Sequence, residues 1–558
     1  MISPYQNLSD QVSKKNYHRL DSTINVCEFE TKINRQSQRQ FAQEHRIPRT
    51  TLQHWLKRKN TLDASPALVS FFEGPEGLAF LHRLITAAHF EFTKVGVASV
   101  HNVSNFLKAC GLAPFVACSY TTHQRVSRKL DKELIKFGRH EHARLAEQMP
   151  TKAITLVEDE TFHPQICLVA IEAVSNFIIL ERYVESRDGD TWNKSVEEAL
   201  AGLPVKVLQV TSDQGSGLLN HVKNGLGVHQ SPDIFHVSYE IGKGTSGPLA
   251  SKIRRAEQAL LTEEKQVEKI YNKMSCYDDN ERRPRGRRPG FEKKLNLAEK
   301  EREHAETALQ KARENQETVR VARKKIGHVY HPYDPLTGRR QDASTVQNLL
   351  EACFNEINKA TPDLSTKCCK RIEKAYKVVT GLVSTIAFFW VMVEQHLENK
   401  DLTAEEKDII QEYLIPGFYL ASVAEKEKDE VRREEISRQS DKLLSIINRQ
   451  EGVIAGLSPS KTAALIKSAK ECAQFFQRSS SCVEGRNAQL SLRHHGIHRL
   501  SDTHLQAQTV IHNFHIKRDD DTTPAMRFFE AEHGNLFDHL LTNIDYPARP
   551  RKRLPMAA

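Results

Sequence analysis

The spacing of apolar residues changes along the chain and predicts three kinds of segment. Up to about position 150, apolar residues recur mostly at helical spacing. From Lys152 to Val237, short β-prone runs alternate with helical stretches, and beyond Gly247 helical spacing dominates. The chain has 558 residues, which is longer than a single hydrophobic core usually sustains. The pattern therefore predicts a multidomain α/β plus α protein.

The first helical stretch, Arg35 to Arg58, is interrupted by a short break at His45 to Pro48. Pro48 suits the first turn of a helix, because the amide proton that it lacks would have no intrahelical partner there. The spacing favours a helix-turn-helix in residues 1–62, with an ordinary helical hairpin as the alternative. In a helix-turn-helix, the polar side of the second helix would enter a major groove. That side consists of Arg49, Thr50, Gln53, His54 and Lys57.

Residues 63–150 repeat this helical rhythm less clearly, most visibly from Gly96 to Leu130. We expect a second helical DNA-binding region there. Such modules in front of a catalytic core would suit an enzyme that holds a particular DNA end.

Four β-prone runs with intervening helices predict a sheet in residues 151–247. Two runs stop at acidic residues, namely the run before Asp159 and the run before Asp213. We also expect a turn at Asn176 and a short strand near Asp233 to Val237. The β-prone runs are Ile154 to Val157, Ile166 to Ile171, Phe177 to Val184 and Val205 to Val210, and the helices are Thr191 to Leu203 and Ser216 to Gly225.

Residues 248–477 are predicted to form a helical region with an antiparallel, coiled-coil-like hairpin. Four apolar residues lie seven positions apart at its start, and an arginine-rich segment, Cys276 to Gly290, separates the two long helices. The arginines would contact phosphates without reading sequence, or else form a solvated charged loop. The four apolar residues are Ile253, Leu260, Val267 and Met274.

Composition adds few constraints. The 80 Lys and Arg residues exceed the 71 Asp and Glu residues, a balance that allows a nucleic-acid partner without requiring one. Ten cysteines without a Cys-x-x-Cys pair indicate neither a zinc ribbon nor a disulfide framework. The start of the chain lacks the apolar core of a signal peptide, and the least polar run, Val378 to Val393, is too short to span a bilayer. We expect a buried helix there and a cytoplasmic protein.

The acidic strand ends suit phosphodiester chemistry. Two divalent metal ions can activate a nucleophilic oxygen and stabilise the leaving oxygen, and Mg²⁺ or Mn²⁺ prefers rigid carboxylate ligands. Asp159 and Asp213 would emerge from neighbouring strands. Glu158 and Glu160 compete for the first position, but alternation along the strand places both on the face opposite Asp159.

The order of these motifs resembles the catalytic core of bacterial insertion-sequence transposases of the Asp-Asp-Glu type. The resemblance covers Lys152 to Val237 and Ser479 to Phe514. The long gap between them fits only if residues 248–477 form an inserted domain. The motifs are Glu158-Asp159-Glu160-Thr161, Val210-Thr211-Ser212-Asp213, Asp233-Ile234-Phe235-His236-Val237 and Val483-Glu484-Gly485-Arg486-Asn487.

The resemblance implies a ribonuclease-H-like core in which Asp159, Asp213 and Glu484 hold two Mg²⁺ or Mn²⁺ ions. It also implies cleavage and joining of DNA, with element ends and target as partners, by a homodimer or higher oligomer on the nucleoid. A nuclease without strand joining and an inactive DNA-binding regulator are the alternatives. His236 would approach the site or satisfy a core contact.

The helix with Glu484 would place further residues near DNA. Asn487, three positions later, would lie on the same side of that helix, near the metals or the scissile strand, with simple helix packing as the alternative. Arg486 and Arg493 would face phosphates. Residues 478–548 would complete the core, and residues 549–558 would form a basic tail.

Overall fold

The computed structural model describes residues 21–57, 66–162, 165–282, 286–449, 452–497 and 500–545. Most of these residues are helical, and five strands form one mixed sheet. The predicted α/β plus α class is therefore confirmed. The predicted basic tail, 549–558, lies outside the described residues.

Helices lie on both sides of the strands along the chain, since seven precede β1 and thirteen follow β5 among the described residues. The described helices are α1 (Asp21–Lys32), α2 (Gln38–Glu44), α3 (Arg49–Lys57), α4 (Pro66–Glu73), α5 (Pro75–His89), α6 (Val100–Ala109), α7 (Tyr120–Gln148), α8 (Gly189–Leu200), α9 (Ser216–Asn220), α10 (Ile234–Asp278), α11 (Phe291–Val329), α12 (Ala343–Ala360), α13 (Thr366–Lys377), α14 (Val379–Glu398), α15 (Ala404–Ile409), α16 (Ile415–Lys426), α17 (Glu430–Leu444), α18 (Pro459–Ala473), α19 (Ser481–Ile497), α20 (Asp502–Phe514), α21 (Pro524–Phe529) and α22 (Leu536–Asn543). Short π-helical turns cover Phe90–Val95, His221–Leu226 and Ile410–Leu414, and 3₁₀ turns cover Ser445–Asn448 and Ile454–Gly456. The strands are β1 (Lys152–Phe162), β2 (Ile166–Glu172), β3 (Ile178–Val184), β4 (Val205–Ser212) and β5 (His229–Pro232).

The strand order in the sheet is β3-β2-β1-β4-β5. Strands β2 and β3 are antiparallel, and Asn176 in the turn between them has a φ of 65°. Asn tolerates this left-handed conformation better than most residues do, so the turn predicted at Asn176 is confirmed. Strands β4 and β5 are parallel, which requires the crossover between them that α9 supplies.

The prediction of a strand near Asp233 to Val237 is wrong. Strand β5 ends at Pro232, and α10 begins at Ile234. The Asp233 side chain explains the difference, because its Oδ1 accepts a hydrogen bond of 2.9 Å from the Phe235 amide and so caps the helix. The apolar residues after Asp233 belong to a helical stripe.

The described chain divides into two compact units. Of the described residues, the first unit comprises those within 21–154, 159–206 and 482–545. The second unit comprises Thr155–Glu158 and Val207–Ser481. The six predicted domains differ from this division and stay predictions. The predicted boundary between 247 and 248 falls inside α10, which contains Pro248.

In the first unit, α1 to α3 share a small apolar core. Phe41 and Ala42 of α2 are buried together with Leu52 of α3 and Phe29 of α1. Helix α2 begins with a capping box between Ser37 and Gln40, in which each side chain binds the other's backbone. The two short helices therefore pack against each other, whereas their assignment as a helix-turn-helix stays a prediction.

The second unit contains the predicted hairpin, formed by α10 and α11. At its tip Arg288 forms ion pairs with Asp278 and Glu292, at 2.8 and 3.0 Å. These two ion pairs connect Arg288 to the end of α10 and to the start of α11. Residues 283–285, which include two of the other arginines, lie outside the described residues.

One segment of the described residues, Thr366–Glu398, is long and apolar enough to cross a membrane by length and composition. Core helices pass the same criterion. In α14, which lies within this segment, Leu382, Ile386 and Phe389 are completely buried in the apolar core of the second unit. The predicted buried helix is therefore present.

Candidate functional site

Helix α19 meets strand β1 at Asp159. Asn487 Nδ2 donates a hydrogen bond of 2.8 Å to Asp159 Oδ2, and both residues belong to the first unit. Val483 and Leu490 anchor the helix, since they are 0% and 2% exposed. Glu484 lies three positions before Asn487 and therefore on the same side of α19. The fold thus brings together two motifs that lie 328 residues apart.

The other polar atom of the Asn487 side chain is its oxygen, Oδ1. Its Oδ1 is buried and accepts no hydrogen bond from the described residues. A buried acceptor left without a donor costs about 1–3 kcal/mol, so such atoms usually mark a place where a water or a ligand binds. Among the described residues, Asn487 Oδ1 is therefore a free acceptor close to the Asp159 carboxylate, where a water or a ligand could donate to it.

The two glutamates beside Asp159 have other partners. Glu158 is completely buried, and its Oε1 lies 3.5 Å from His221 Nε2. Glu160 Oε1 accepts a hydrogen bond of 3.2 Å from Trp192 Nε1, and Glu160 Oε2 lies 3.0 Å from Arg187 Nη1. These three contacts join the two glutamates to neighbouring parts of the fold. They fit the predicted alternation, which gives Asp159 a face of its own.

Asp213 lies in the second unit, directly after β4. Its Oδ1 accepts a hydrogen bond of 2.7 Å from the Gly215 amide, and its Oδ2 lies 3.9 Å from His236 Nε2. The carboxylate lines a pocket of about 150 Å³ together with His236, Asp233 and Lys374. The loop between β4 and α9 thus presents Asp213 to an opening that other polar groups share.

Asp233 anchors His236 in that pocket. His236 Nδ1 lies 3.0 Å from Asp233 Oδ2, and Ser480 donates its hydroxyl to the same oxygen at 2.8 Å. Burial by itself would raise the pKa of the Asp233 carboxyl, but hydrogen bonds from His236, the Phe235 amide and Ser480 hold the pKa below its usual range. Sequence reasoning placed Asp233 in a strand, although an Asp directly before a helical stripe is also the pattern of a helix cap.

The expectation that Arg486 faces phosphates needs correction. Its guanidinium is 4% exposed and forms a bidentate ion pair with Glu181, with both N–O distances 2.6 Å. Thr509 donates a further hydrogen bond to Glu181. Arg486 therefore satisfies a buried carboxylate of β3.

Arg493 has partners within the protein, and its expected contact with phosphates stays a prediction. Its guanidinium donates to the backbone oxygens of Gly96 and Val95, at 3.0 and 2.6 Å. Burial lowers the pKa of Arg493 to about 10, with the nearby charge of Arg486 as the second cause. The side chain closes the end of the Phe90–Val95 turn, so its main contacts are with the protein.

The residues predicted on the recognition face of α3 are in part accessible. Arg49, Thr50 and Lys57 are exposed. Gln53 is half-buried, and its Nε2 donates to Gln38 Oε1 at 3.4 Å. The side chain of His54 lies outside the described part of the structure.

The donors at Asp159 have the chemistry that a divalent cation requires. Asp159 and Asn487 Oδ1 supply oxygen atoms, which Mg²⁺ prefers. Within the described residues, however, no group of three or more His, Cys, Asp or Glu side chains is arranged to hold a metal ion. The structure therefore assembles oxygen donors in the first unit without a complete three-carboxylate site.

Residues 410–556 match the model of a family of unknown function (DUF6399). The match includes Glu484 and Asn487 and covers less than half of the chain. No curated protein and no solved structure matches this chain.

Proposed function

We propose that this protein is a transposase that binds element ends, cleaves DNA and joins the cleaved strand to a target. The observation that carries the proposal is the hydrogen bond between Asn487 and Asp159. This hydrogen bond holds the helix that contains Glu484 next to Asp159 of the first strand. The motif order requires these two segments to be neighbours.

The sheet supports a ribonuclease-H-like core. Asp159 lies on β1, Asp213 follows β4, and these strands are neighbours in the order β3-β2-β1-β4-β5. In the resembled family the two aspartates occupy these strand positions and the glutamate follows on a late helix. By this motif order, Asp213 completes the set of three carboxylates with Asp159 and Glu484.

Each acidic residue has a distinct place in the proposed chemistry. Asp159, Asp213 and Glu484 would hold Mg²⁺ or Mn²⁺, which when bound activates the attacking oxygen and stabilises the leaving one. Asn487 orients the Asp159 carboxylate through its Nδ2. A held carboxylate loses less conformational freedom when it meets a ligand, which favours binding.

Recognition of DNA ends is assigned to α1 to α3. Exposed Arg49, Thr50 and Lys57 lie on α3, whose opposite side packs on α2 through Leu52. A helix with such a polar face can enter a major groove while its neighbour supports it. We propose that this region acts as a helix-turn-helix and that a homodimer or higher oligomer assembles on DNA at the nucleoid.

Strand joining by the purified full-length chain tests the proposal. Labelled duplexes with candidate inverted repeats, taken from the DNA on either side of its gene, are incubated with a supercoiled target plasmid and Mg²⁺ or Mn²⁺. We expect joined products, and we expect Asp159→Asn, Asp213→Asn and Glu484→Gln each to reduce joining by about a hundredfold or more. Glu160→Gln is the matched control, because Glu160 contacts Trp192 and Arg187.

Two outcomes would replace this proposal. Cleavage without joining, lost in the same three variants, would identify a nuclease on the same fold. Specific binding to the repeats with neither reaction would identify a DNA-binding regulator. The observation that favours the regulator is that no complete metal-ligand group occurs among the described residues.

A further inference from the structure

Helix α10 presents an exposed aromatic stripe beside the pocket of Asp213. Phe235 and Tyr239 lie one helical turn apart, and their side chains are 51% and 43% exposed. Their rings are nearly parallel, with centroids 6.3 Å apart and an interplanar angle of 23°. Lys243, one further turn along, places its Nζ 4.4 Å from the Tyr239 ring centroid.

This stripe is unusual because adjoining positions of the same helix are buried. Val237 and Ile241 are 1% and 0% exposed and pack into the core of the second unit. The aromatic residues therefore do not contribute the face that holds α10 in place. Two large rings on the outer face expose apolar surface that a ligand can cover.

Basic residues lie along α10 next to the stripe. Lys374 Nζ and Arg371 Nη1 lie 3.1 and 2.7 Å from carboxylate oxygens of Glu240, the residue that follows Tyr239 on α10. Arg323 lies against the same helix, since a Cβ at Gly242 would be 2.7 Å from its Nη1. Together with Lys243 these are four cations, against Glu240 and the Asp213 and Asp233 carboxylates of the adjoining pocket. The balance is one positive charge, which is complementary to a phosphate backbone.

We propose that Phe235, Tyr239 and Lys243 form a stacking platform for unpaired bases of single-stranded DNA. Every base has a π face, so aromatic residues bind single strands with little sequence preference, and nearby cations hold the backbone. The inference deepens the proposed function, because the stripe begins next to His236, whose Nε2 lies 3.9 Å from Asp213. An unpaired strand on the platform would lie close to the Asp213 pocket.

Fluorescence anisotropy with labelled dT20 tests the platform. The full-length protein is titrated at fixed low salt in EDTA, so that the readout does not depend on catalysis. We expect Phe235→Ala and Tyr239→Ala each to weaken binding of dT20 about five- to hundredfold, because one base stack is lost. An abasic strand of equal length should bind wild-type protein about tenfold more weakly or worse.

Matched variants separate stacking from general effects. Tyr271→Ala removes another exposed tyrosine of α10, 57% exposed, and should leave the affinity for dT20 within about twofold. Tyr239→Phe should keep the affinity, whereas Tyr239→Leu should lose it, even if Tyr239→Ala fails to fold. Thermal unfolding of each variant verifies that the fold is intact.

Four results would overturn the platform. These are absence of binding to dT20, equal affinity for the abasic strand, unchanged affinity in both alanine variants, and about tenfold tighter binding of rU20, which would assign the surface to RNA. Strand joining is measured separately on the same preparations. A protein that binds dT20 through Phe235 and Tyr239 but joins no DNA retains the platform and refutes the transposase.

Discussion

Asn487 is the side chain on which the candidate site depends most directly. One side of its amide holds Asp159, and the other side is a buried oxygen that accepts no hydrogen bond from the described residues. Neither property follows from the identity of a single residue in the sequence. Sequence spacing placed Asn487 on the side of Glu484, and the packing of α19 gave it Asp159 as a partner.

Replacing Asn487 tests whether it positions the carboxylate. We expect Asn487→Ala to reduce strand joining about ten- to hundredfold, because outer-shell partners of metal ligands commonly contribute that much. The Mg²⁺ concentration needed for half-maximal joining should rise in the variant. Equal loss at saturating and limiting Mg²⁺, with a lowered melting temperature, would show that Asn487 serves only helix packing.

Arg486 shows why a charged residue near a candidate site need not contact the substrate. It is buried together with Glu181, whose side chain is 0% exposed. We expect Arg486→Met to lower the free energy of unfolding by about 3–5 kcal/mol, because Glu181 would remain as an unpaired buried charge. Urea unfolding measures this difference.

A matched exposed pair provides the control for Arg486. Arg182 and Glu198 form an ion pair of 2.6 Å, and both side chains are 46% exposed. Arg182→Ala should change the free energy of unfolding by less than about 1 kcal/mol. Unchanged stability of Arg486→Met with weakened, less salt-dependent DNA binding would restore Arg486 as a phosphate contact.

At the scale of elements, α20 is attached to β3 and to the turn before it by polar contacts. Asn513 both donates to and accepts from the backbone of Ile178, at 3.0 and 2.9 Å. His512 Nε2 lies 2.9 Å from the Asn176 carbonyl oxygen. Burial, followed by the charge of Arg486, lowers the pKa of His512 to about 4. The fold therefore favours the neutral imidazole, which can donate to Asn176.

This contact predicts a loss of stability in acid. In the unfolded chain His512 would titrate near pH 6.5, so its full contribution is present above that pH. As the pH falls from about 6.5 to about 4, the unfolded chain binds the additional proton and stability declines. Relative to His512→Gln, wild-type protein should lose about 3 kcal/mol over this interval.

Urea unfolding at a series of pH values measures the His512 effect. Wild-type protein and His512→Gln are compared at each pH, so that other titrating groups cancel. The exposed His101 offers a control, and His101→Gln should follow the wild-type profile. Parallel profiles for wild type and His512→Gln would refute the assigned role of this imidazole.

At the scale of the whole molecule, metal binding should stabilise the folded chain. A ligand present at a hundred times its dissociation constant adds about 2.7 kcal/mol to the free energy of unfolding. We expect Mn²⁺ or Mg²⁺ to raise the melting temperature of wild-type protein and to have a smaller effect on Asp159→Asn. No shift with either ion at any concentration would contradict a metal site in the DNA-free protein.

Two predictions failed because the local sequence does not show which partners the fold supplies. The apolar run after Asp233 was assigned to a strand because short apolar runs are compatible with both structures. The side-chain cap at Asp233 decided for a helix. Arg486 was assigned to DNA as part of a basic cluster after the predicted catalytic helix, but the fold supplied the buried carboxylate of Glu181 as its partner.

The sequence by itself determined the class of fold, the β1 to β4 strands, the long helical hairpin and the two short helices α2 and α3. These features depend on periodicity and on neighbouring residues, which the sequence contains directly. Only the tertiary structure decided that Asn487 holds Asp159, that Arg486 is buried with Glu181, and that Phe235 and Tyr239 remain exposed. Those facts depend on contacts between distant segments, and no local spacing encodes them.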